Sequence, residues 1–476
     1  MQLVLILFTI QGLLGAFDTL YHHELKERLP WKKSAKKELK IHAIRNVFYF
    51  IIFLSLAWVE WQGMLAWVFG SILMLEILLT LWDFVIEDKT RKLPSSERIT
   101  HTILAINYGA ILALLVPQII IWSSSSTAFH TVNYGILSWI MTVFSAGVLF
   151  WSFRDVMSAR KKDTDQNLTK IVLHQANTKF LVTGGSGFIG RKLCQLLINS
   201  GHDVTIVTRN KENTAKLFNG RLTLIDHISQ AQDGYDVIIN LAGESLADGR
   251  WTDAKKKKIY DSRINTTKDI VDYIQKAKNK PSLLINGSAI GFYATHETDV
   301  FHEDSKPAGK DFAQNLCEKW ENEGDLAKKH NVRVAYLRTG IVLGEDGGPL
   351  AQMLFPFEFC LGGKMGSGKQ WMSWIHIDDL IGIIVHIINH ENIEEGVNGT
   401  SPNPVMNKDF TKALGKAMKR PTLLAIPAFN LRLLLGEMAD AILLKGQKVL
   451  PKKALDTGYQ FQYHRIDEAL NQIINK

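Results

Sequence analysis

Five apolar segments lie within the first 153 residues of this 476-residue chain. A helix needs about 20 mostly apolar residues to cross a bilayer, so these segments predict about five transmembrane helices, of which the second is the shortest. The mean hydropathy of the whole chain is zero, and the apolar excess is concentrated before residue 153. The sequence therefore predicts a transmembrane domain at 1–153 and a soluble portion after it. The segments lie at residues 2–20, 46–60, 63–83, 102–122 and 133–152.

The loops between these segments differ in charge. Two of them, and the stretch after the fifth segment, are rich in Lys and Arg, whereas the turns at 60–63 and 123–131 contain neither. Lys and Arg accumulate on the cytoplasmic side of short loops, so the pattern predicts an integral protein of a bacterial inner membrane, with its N-terminus outside and its soluble portion in the cytoplasm. The basic loop residues are Lys26, Arg28, Lys32, Lys33, Lys36, Lys37, Lys40, Arg45, Lys89, Arg91, Lys92, Arg98, Arg154, Arg160, Lys161 and Lys162.

The formal net charge of +8 arises partly from these loops. Anionic lipid headgroups explain that placement better than nucleic acid does. We therefore expect the lipid bilayer and an unidentified small molecule as partners, and no nucleic acid. The three cysteines have no CxxC spacing, which argues against a zinc ribbon or a disulfide framework.

Ionisable residues gather near the cytoplasmic ends of the predicted spans. Imidazoles and carboxylates from several helices can bind a metal or relay protons. Alternatively, they are hydrated side chains that flank the helix ends. Because no HxxxH pair is present, we favour the second interpretation and assign no metal ligand. The residues are Asp18, His22, His23, Glu24, His42, Asp83, Glu87, Asp88 and His101.

A glycine-rich motif opens the soluble portion. Lys179–Thr183 is an apolar run typical of a buried parallel strand, and Gly184, Gly187 and Gly190 follow it at a spacing of three. Glycine permits a positive φ in a tight turn, and the missing Cβ lets the backbone approach a pyrophosphate. With a helix beginning at Phe188, the motif predicts a dinucleotide site at a helix N-terminus.

The end of the second strand, Val204–Val207, predicts which dinucleotide binds. NAD sites place an acidic residue there, whereas NADP sites offer Arg to the 2′-phosphate. Here the strand is followed by Thr208, Arg209 and Asn210, with no carboxylate. A guanidinium suits bidentate phosphate contact, so the sequence predicts NADP(H).

Further apolar strands alternate with helical stretches. This order predicts an α/β Rossmann fold, a doubly wound parallel sheet that binds ligands over the carboxyl ends of its strands. The strands are expected at 237–241, 283–286 and 332–337. The crevice residues expected at their ends include Ala289 and Arg338. The cofactor-binding residues predicted for the whole site are Gly184, Gly187, Phe188, Ile189, Gly190, Thr208, Arg209, Asn240, Ala242, Gly243 and Ser288.

The soluble portion resembles a known family. TGGSGFIG, NLAGE and WIHIDDL resemble motifs of the extended short-chain dehydrogenase/reductases, which include NAD-dependent epimerases and dehydratases. The longer stretches NLAGESLADGRWTDAKKKKIYDSRI and RTGIVLGEDGGPLAQML are similar to the epimerase subfamily typified by the human short-chain dehydrogenase 39U member. That resemblance spans about 178–476. It implies a linker at 154–177, a Rossmann domain at 178–395 and, at 396–476, a small, mainly helical extension of unassigned function.

The resemblance also implies a catalytic Tyr-xxx-Lys pair, which this chain lacks. None of its eleven tyrosines has a lysine four residues later, and Ala313 and Cys317 stand in the corresponding helix. Ser288 and Tyr293 remain as catalytic candidates. His376 is a weaker one, because a lone histidine is more often structural than a base. The basic run at 255–258 is interpreted as a solvated helix face.

Two functions are compatible with these features. One is an NADP(H)-dependent oxidoreductase or epimerase-like enzyme, tethered so that it acts on a lipid-soluble substrate. The other is a non-catalytic NADP(H)-binding sensor or assembly factor coupled to the membrane domain. The missing Tyr-xxx-Lys pair favours the second, and the glycine-rich loops at 340–348 and 362–368, which suit a bound small molecule, favour the first.

Overall fold

A computed structural model describes the chain as two compact units, residues 1–163 and 164–476. The described residues are 1–27, 29–31, 35–90, 93–160, 172–218 and 222–475, with only the backbone at 89 and 90. Residues 161–171 of the predicted linker at 154–177 therefore lie outside the described residues. The same holds for Arg28, Lys32, Lys33, Arg91, Lys92, Lys161 and Lys162, and for the side chain of Lys89.

The first unit contains five helices that are long and apolar enough to cross a membrane. They are α1 (Gln2–Phe17), α2 (Lys36–Trp58), α3 (Met64–Thr90), α4 (Ser95–Ser123) and α5 (Ile136–Ala159). α1 continues directly into a π-helix, Asp18–Lys26. At the opposite end of the unit, Val59–Gln62 pairs antiparallel with Ala128–Thr131.

Each of these helices extends beyond its apolar segment at the same end of the unit. α2 has 23 residues and begins at Lys36 rather than at residue 46, and the helical path of α1 runs to Lys26 rather than to residue 20. The added turns carry polar side chains that are buried between the helices, Glu38 and Glu87 among them. The helices therefore exceed the apolar segments because these turns pack against other helices of the unit.

The second unit is built on a seven-stranded sheet in which all paired strands are parallel. Its strands are β1 (Lys179–Thr183), β2 (Asp203–Val207), β3 (Thr223–Ile225), β4 (Val237–Asn240), β5 (Leu283–Ala289), β6 (Arg333–Thr339) and β7 (Glu395–Gly399). Across the sheet the order is β7-β6-β5-β4-β1-β2-β3. The order reverses beside β1, so the crevice at the ends of β1 and β4 is where a doubly wound sheet binds its ligand.

Helices cover both faces of this sheet. Those of the second unit are α6 (Phe188–Asn199), α7 (Lys211–Leu217), α8 (Asp253–Lys276), α9 (Phe312–Asp325), α10 (Gly348–Glu358), α11 (Ile377–Asn389), α12 (Asn407–Met418), α13 (Ala428–Leu435), α14 (Lys452–Asp456) and α15 (Ile466–Ile474). Val182 of β1 packs in one core with Leu197 and Ile384, and its neighbour Leu181 packs in the other with Ile270. Alternate residues of each strand thus face opposite layers, which explains why the strands are continuously apolar.

The sheet continues past the boundary predicted at residue 395. β7 comprises residues 395–399 and pairs with β6 in register from Glu395 opposite Ala335. The later chain also returns to the Rossmann portion, because Lys448–Val449 pairs with Val300–Phe301. The mainly helical segment at its end therefore includes short strands as well.

Candidate functional site

The glycine turn between β1 and α6 is closed by contacts that leave no room for side chains. Gly184 has a φ of +69°, and a Cβ there would lie 2.6 Å from the carbonyl of Leu241. The amide of Gly187 donates to Gly184 O at 3.0 Å, and a Cβ on Gly190 would collide with that same oxygen. The turn thus presents bare backbone at the N-terminus of α6, an arrangement that suits a pyrophosphate.

Phe188, at the start of α6, packs against a second glycine-rich loop. A Cβ on Gly344, Gly347 or Gly348 would lie 2.7–2.8 Å from its ring. Ile189 is partly buried and contributes to the core of the sheet. The loop expected to line a small-molecule pocket is therefore held against the helix that carries the glycine turn.

The segment after β2 holds the residues predicted to choose the cofactor. Thr208 is buried, donates its amide to Ile225 O at 2.8 Å and shares a hydrogen bond with Thr214. Asn210 caps α7 by accepting the amide of Asn213. Between these two anchored residues, Arg209 is exposed, so its guanidinium projects from a fixed backbone.

Sequence reasoning missed two lysines that act on the same carboxylate as Arg209. Lys255 Nζ donates to Glu244 Oε1 at 2.9 Å. The pKa of Glu244 is lowered by this hydrogen bond and by the charges of Lys255, Arg209 and Lys258. Part of the lysine run interpreted as a solvated helix face therefore shares with Arg209 an electrostatic influence on Glu244. The sequence signal that could have revealed this contact is the NLAGE motif, because it ends at Glu244.

The side chain of Asn240, at the end of β4, forms hydrogen bonds to other buried residues through both its oxygen and its nitrogen. It accepts from Thr183 at 2.6 Å and donates to Asn286 at 2.7 Å and to Thr267 at 3.0 Å. Its predicted cofactor contact would therefore come from its backbone. Ala242 follows as a partly buried residue. Gly243 is exposed, and a Cβ there would lie 2.9 Å from the guanidinium carbon of Arg263.

Ser288 lies at the crevice end of β5 and is 5% exposed. Its hydroxyl donates to Glu321 Oε1 at 2.6 Å. Both oxygens of Glu321 also accept from Arg338, at 2.9 and 2.8 Å. Glu321 comes one helical turn after Cys317 on α9, so a buried carboxylate contacts Ser288 from the helix where the family resemblance implied a Tyr-xxx-Lys pair.

Tyr293 ends a 3₁₀ turn and is fully buried. Its hydroxyl donates to Asn398 at 2.7 Å and accepts from Arg338 at 3.0 Å. Burial raises the pKa of Tyr293 to about 12. These contacts give the residue a packing and bridging role, and its catalytic role stays a prediction.

The small residues that replace Tyr-xxx-Lys lie close to Gly291. A Cβ at Gly291 would lie 3.1 Å from Ala313 Cβ and 3.7 Å from Cys317 Sγ. Burial raises the pKa of the Cys317 thiol to about 12, which makes it a poor nucleophile. His376 is buried and caps α11 by accepting the amide of Asp378 at 3.1 Å, as a structural histidine does.

Comparison with known proteins identifies this unit. Residues 180–398 match the NAD dependent epimerase/dehydratase family, and residues 426–473 match a domain of unknown function, DUF1731. The chain is 40% identical over 301 residues to the epimerase family protein SDR39U1 homolog of Arabidopsis thaliana, covering 62% of this chain and 86% of that one. It is 36% identical over 298 residues to SDR39U1 of Homo sapiens, covering 62% and 99%. The chain belongs to this epimerase family.

Solved structures of this family and of related enzymes agree with the fold. Human SDR39U1, crystallised with NADPH, is 34% identical with a TM-score of 0.58, covering 63% of this chain and 99% of that one. A nucleoside-diphosphate sugar epimerase from Corynebacterium glutamicum is 26% identical with a TM-score of 0.51, covering 73% and 67%. The Rossmann prediction is confirmed, and the predicted NADP(H) agrees with the dinucleotide bound to the human epimerase.

The ionisable residues predicted at the ends of the spans meet at one end of the first unit. Asp18, His22, Glu24, His42, Asp83 and Glu87 are buried, His23 and His101 are partly buried, and Asp88 is exposed. Two further buried residues, Glu38 and Glu97, join them. Sequence reasoning looked only for HxxxH and missed ExxxH at 38–42 and 97–101, a spacing that places both side chains on one helix face.

Proposed function

We propose that this protein is a membrane-tethered NADP(H)-dependent oxidoreductase or epimerase-like enzyme that acts on a lipid-soluble substrate. The NADP(H) assignment rests on the glycine turn at 184–190, which leaves the backbone bare, together with exposed Arg209. NADPH in the human epimerase supports the same choice. The five apolar helices support tethering, and tethering would place the site close to molecules dissolved in the bilayer.

Different residues of the second unit would bind the cofactor and transfer the proton in such a reaction. The nicotinamide, when bound, supplies or accepts the hydride. The amides at the start of α6 hold the pyrophosphate, and Arg209 binds the 2′-phosphate. The hydroxyl of Ser288 donates its hydrogen bond to Glu321, so the Ser288 oxygen can accept a hydrogen bond from a substrate hydroxyl. When the substrate hydroxyl loses its proton to Ser288, Ser288 passes its own proton to Glu321, which Arg338 orients.

Cofactor titration tests the binding step. We expect the full-length protein in detergent to bind NADPH at least tenfold more tightly than NADH, and the substitution Arg209→Glu to remove that preference. Arg465→Glu is the matched control, because Arg465 is an exposed arginine paired with Asp467 elsewhere on the unit. Equal affinity for the two cofactors in the unsubstituted protein would refute the NADP(H) assignment.

Turnover tests the enzyme. Membranes that hold the protein are incubated with NADPH and a lipid extract, and the loss of absorbance at the NADPH band is followed. We expect Glu321→Gln to bind NADPH normally and to lose most of the turnover. Tight NADPH binding without turnover in any extract would instead support the sensor, the function favoured by the absent Tyr-xxx-Lys pair and by the bonded hydroxyl of Tyr293.

The proposed topology has its own test. The loops that carry Lys and Arg all join the helices at the end where the polar residues gather, and Val59–Gln62 and Ala128–Thr131 lie at the other end. Fusions after Arg160 are expected to give fluorescent green fluorescent protein and inactive alkaline phosphatase, because that site is cytoplasmic. The opposite pair of results would place the soluble unit outside.

A further inference from the structure

A cavity of about 510 Å³ lies inside the first unit, where all five helices contribute side chains to its wall. One part of the wall is apolar and includes Phe53, Phe84 and Phe144. The other part carries the histidines and carboxylates that gather at this end of the unit. We propose that these residues form a binding site for a first-row transition metal ion such as iron, manganese or zinc.

The first set of ligands comprises Asp18, His23, Glu97 and His101. Each offers one ligand atom, and the four atoms lie within 4.8 Å of one another. His101 Nε2 is 3.1 Å from Asp18 Oδ2. His23 Nε2 is 3.5 Å from that same oxygen and 3.5 Å from Glu97 Oε1. Two separate helical segments, the π-helix and α4, therefore direct nitrogen and oxygen atoms toward one point.

The second set comprises His23, Glu38, His42 and Glu87, again within 4.8 Å. His42 Nε2 lies 3.8 Å from Glu87 Oε1. The rings of His23 and His42 stack with centroids 4.8 Å apart. Because His23 belongs to both sets, the sets adjoin, and an ion bound through His23 in one set leaves three ligands for an ion in the other.

The distances at His23 fit ligation better than hydrogen bonding. Among the described residues, the buried Nε2 of His23 has no hydrogen-bond partner. Hydrogen bonds from nitrogen to oxygen span about 2.7–3.2 Å, which is shorter than its 3.5 Å separations. Two atoms that bind one ion at about 2.0–2.2 Å are themselves about 3.3–3.6 Å apart in a tetrahedral site. A metal would therefore satisfy this nitrogen without moving its neighbours far.

The backbone and an additional histidine position Asp18 for this role. Asp18–Lys26 is a π-helix. Its i→i+5 hydrogen bonds widen each turn and bring Asp18 and His23 toward one face. Such segments are frequent at functional sites. His22 Nδ1 contacts Asp18 Oδ1 at 2.8 Å, leaving Oδ2 toward His101. In metal sites, a carboxylate that binds the ion is typically held by a hydrogen bond to another side chain.

The donor types favour one class of ion, because the two sets combine histidine nitrogens with the carboxylates of Asp18, Glu38, Glu87 and Glu97. Histidine with carboxylate is a donor set that suits iron, manganese or zinc, whereas calcium and magnesium prefer oxygen alone.

Elemental analysis tests the site directly. The full-length protein is purified in detergent from cells grown with added iron, manganese and zinc, and its metal content is measured per chain. We expect at least one ion per chain in the unsubstituted protein and in the control His130→Gln, since His130 is exposed at the opposite end of the unit. The variants His23→Gln and Glu97→Gln are expected to lose most of the metal.

Two readouts separate a lost ligand from a lost fold. After chelation and readdition of manganese, His22→Asn should bind about 10–100-fold more weakly than the unsubstituted protein, because His22 orients a ligand without being one. NADPH affinity should be unchanged in every variant, so this result stands apart from the cofactor tests. An unsubstituted protein that holds no metal as isolated and takes up none overturns the proposal, as does equal metal content in His23→Gln and His130→Gln.

Discussion

Two buried polar groups, one in each unit, differ in how their neighbours are spaced. In the second unit, referred to below as the soluble unit after the sequence prediction, Asn240 is matched with Thr183 and Asn286 at 2.6 and 2.7 Å. In the helical unit, His23 faces two carboxylates at 3.5 Å. The distances at Asn240 are those of hydrogen bonds within the protein, whereas the distances at His23 leave room for an ion between the nitrogen and the carboxylates. A buried polar group is thus informative through its distances and not only through its burial.

The largest effect is expected where a matched pair is broken. Glu321→Leu leaves Arg338 buried without its carboxylate, which should lower the free energy of unfolding of the soluble unit by about 3–5 kcal/mol. Replacing both residues by Met should cost much less. Pulse proteolysis of the full-length protein in urea measures both variants. A single variant that costs as little as the double would show that the pair is not matched as described.

The helical unit should respond to metal where the soluble unit does not. At a manganese concentration about 100-fold above its dissociation constant, bound metal should stabilise the helical unit by about 2.7 kcal/mol. Thermal unfolding with and without a chelator measures this shift, with His23→Gln as the unresponsive control. If both units shift equally, the metal acts on the protein in general rather than at the proposed centre.

A smaller effect is expected at the glycine turn. Gly184 and Gly201 both have positive φ, at +69° and +82°, but a Cβ would meet other atoms within 4 Å only at Gly184. Gly184→Ala should therefore weaken NADPH binding at least tenfold, about 1.4 kcal/mol, while Gly201→Ala changes only stability. Calorimetric titration of the two variants decides this. Equal NADPH affinity in both would mean that the turn does not contact the cofactor.

The smallest effect concerns pH. Burial, and then the charge of His390, lower the pKa of His386 to about 4. The stability that neutral His386 contributes is therefore fully present above its unfolded pKa of about 6.5 and is lost as pH falls through 4. Because the ring is only half-buried, we expect less than about 1 kcal/mol. Urea midpoints at pH 7.5 and 4.5 should fall further for the unsubstituted protein than for His386→Gln.

The parts of the molecule that sequence predicts well are local. The strand, glycine turn and helix at 179–199 follow from neighbouring residues, and Arg209 is read from its place after β2. The contacts of Ser288 with Glu321 and of Tyr293 with Asn398 span 33 and 105 residues, so no local pattern could reveal them. β7 escaped because its residues, Glu395–Gly399, are short and rich in glycine and gain their strand character from pairing with β6.

The helical unit shows a different limit. Its spans were located by apolarity, which cannot report turns buried in the protein rather than in lipid. The Glu38–His42 and Glu97–His101 spacings were present in the sequence and went unrecognised. The π-helix at 18–26 is beyond such patterns, because its wider turn depends on the helices packed around it.

That π-helix makes the winding of the backbone itself a determinant of the centre. The same residues wound as an α-helix would place His23 about 140° around the axis from Asp18, because five residues advance an α-helix by about 500°. His23 would then leave the cavity, although each ligand would still be encoded. Variation at this segment should thus tolerate changes of residue type at outward-facing positions far better than changes that restore ordinary α-helical winding.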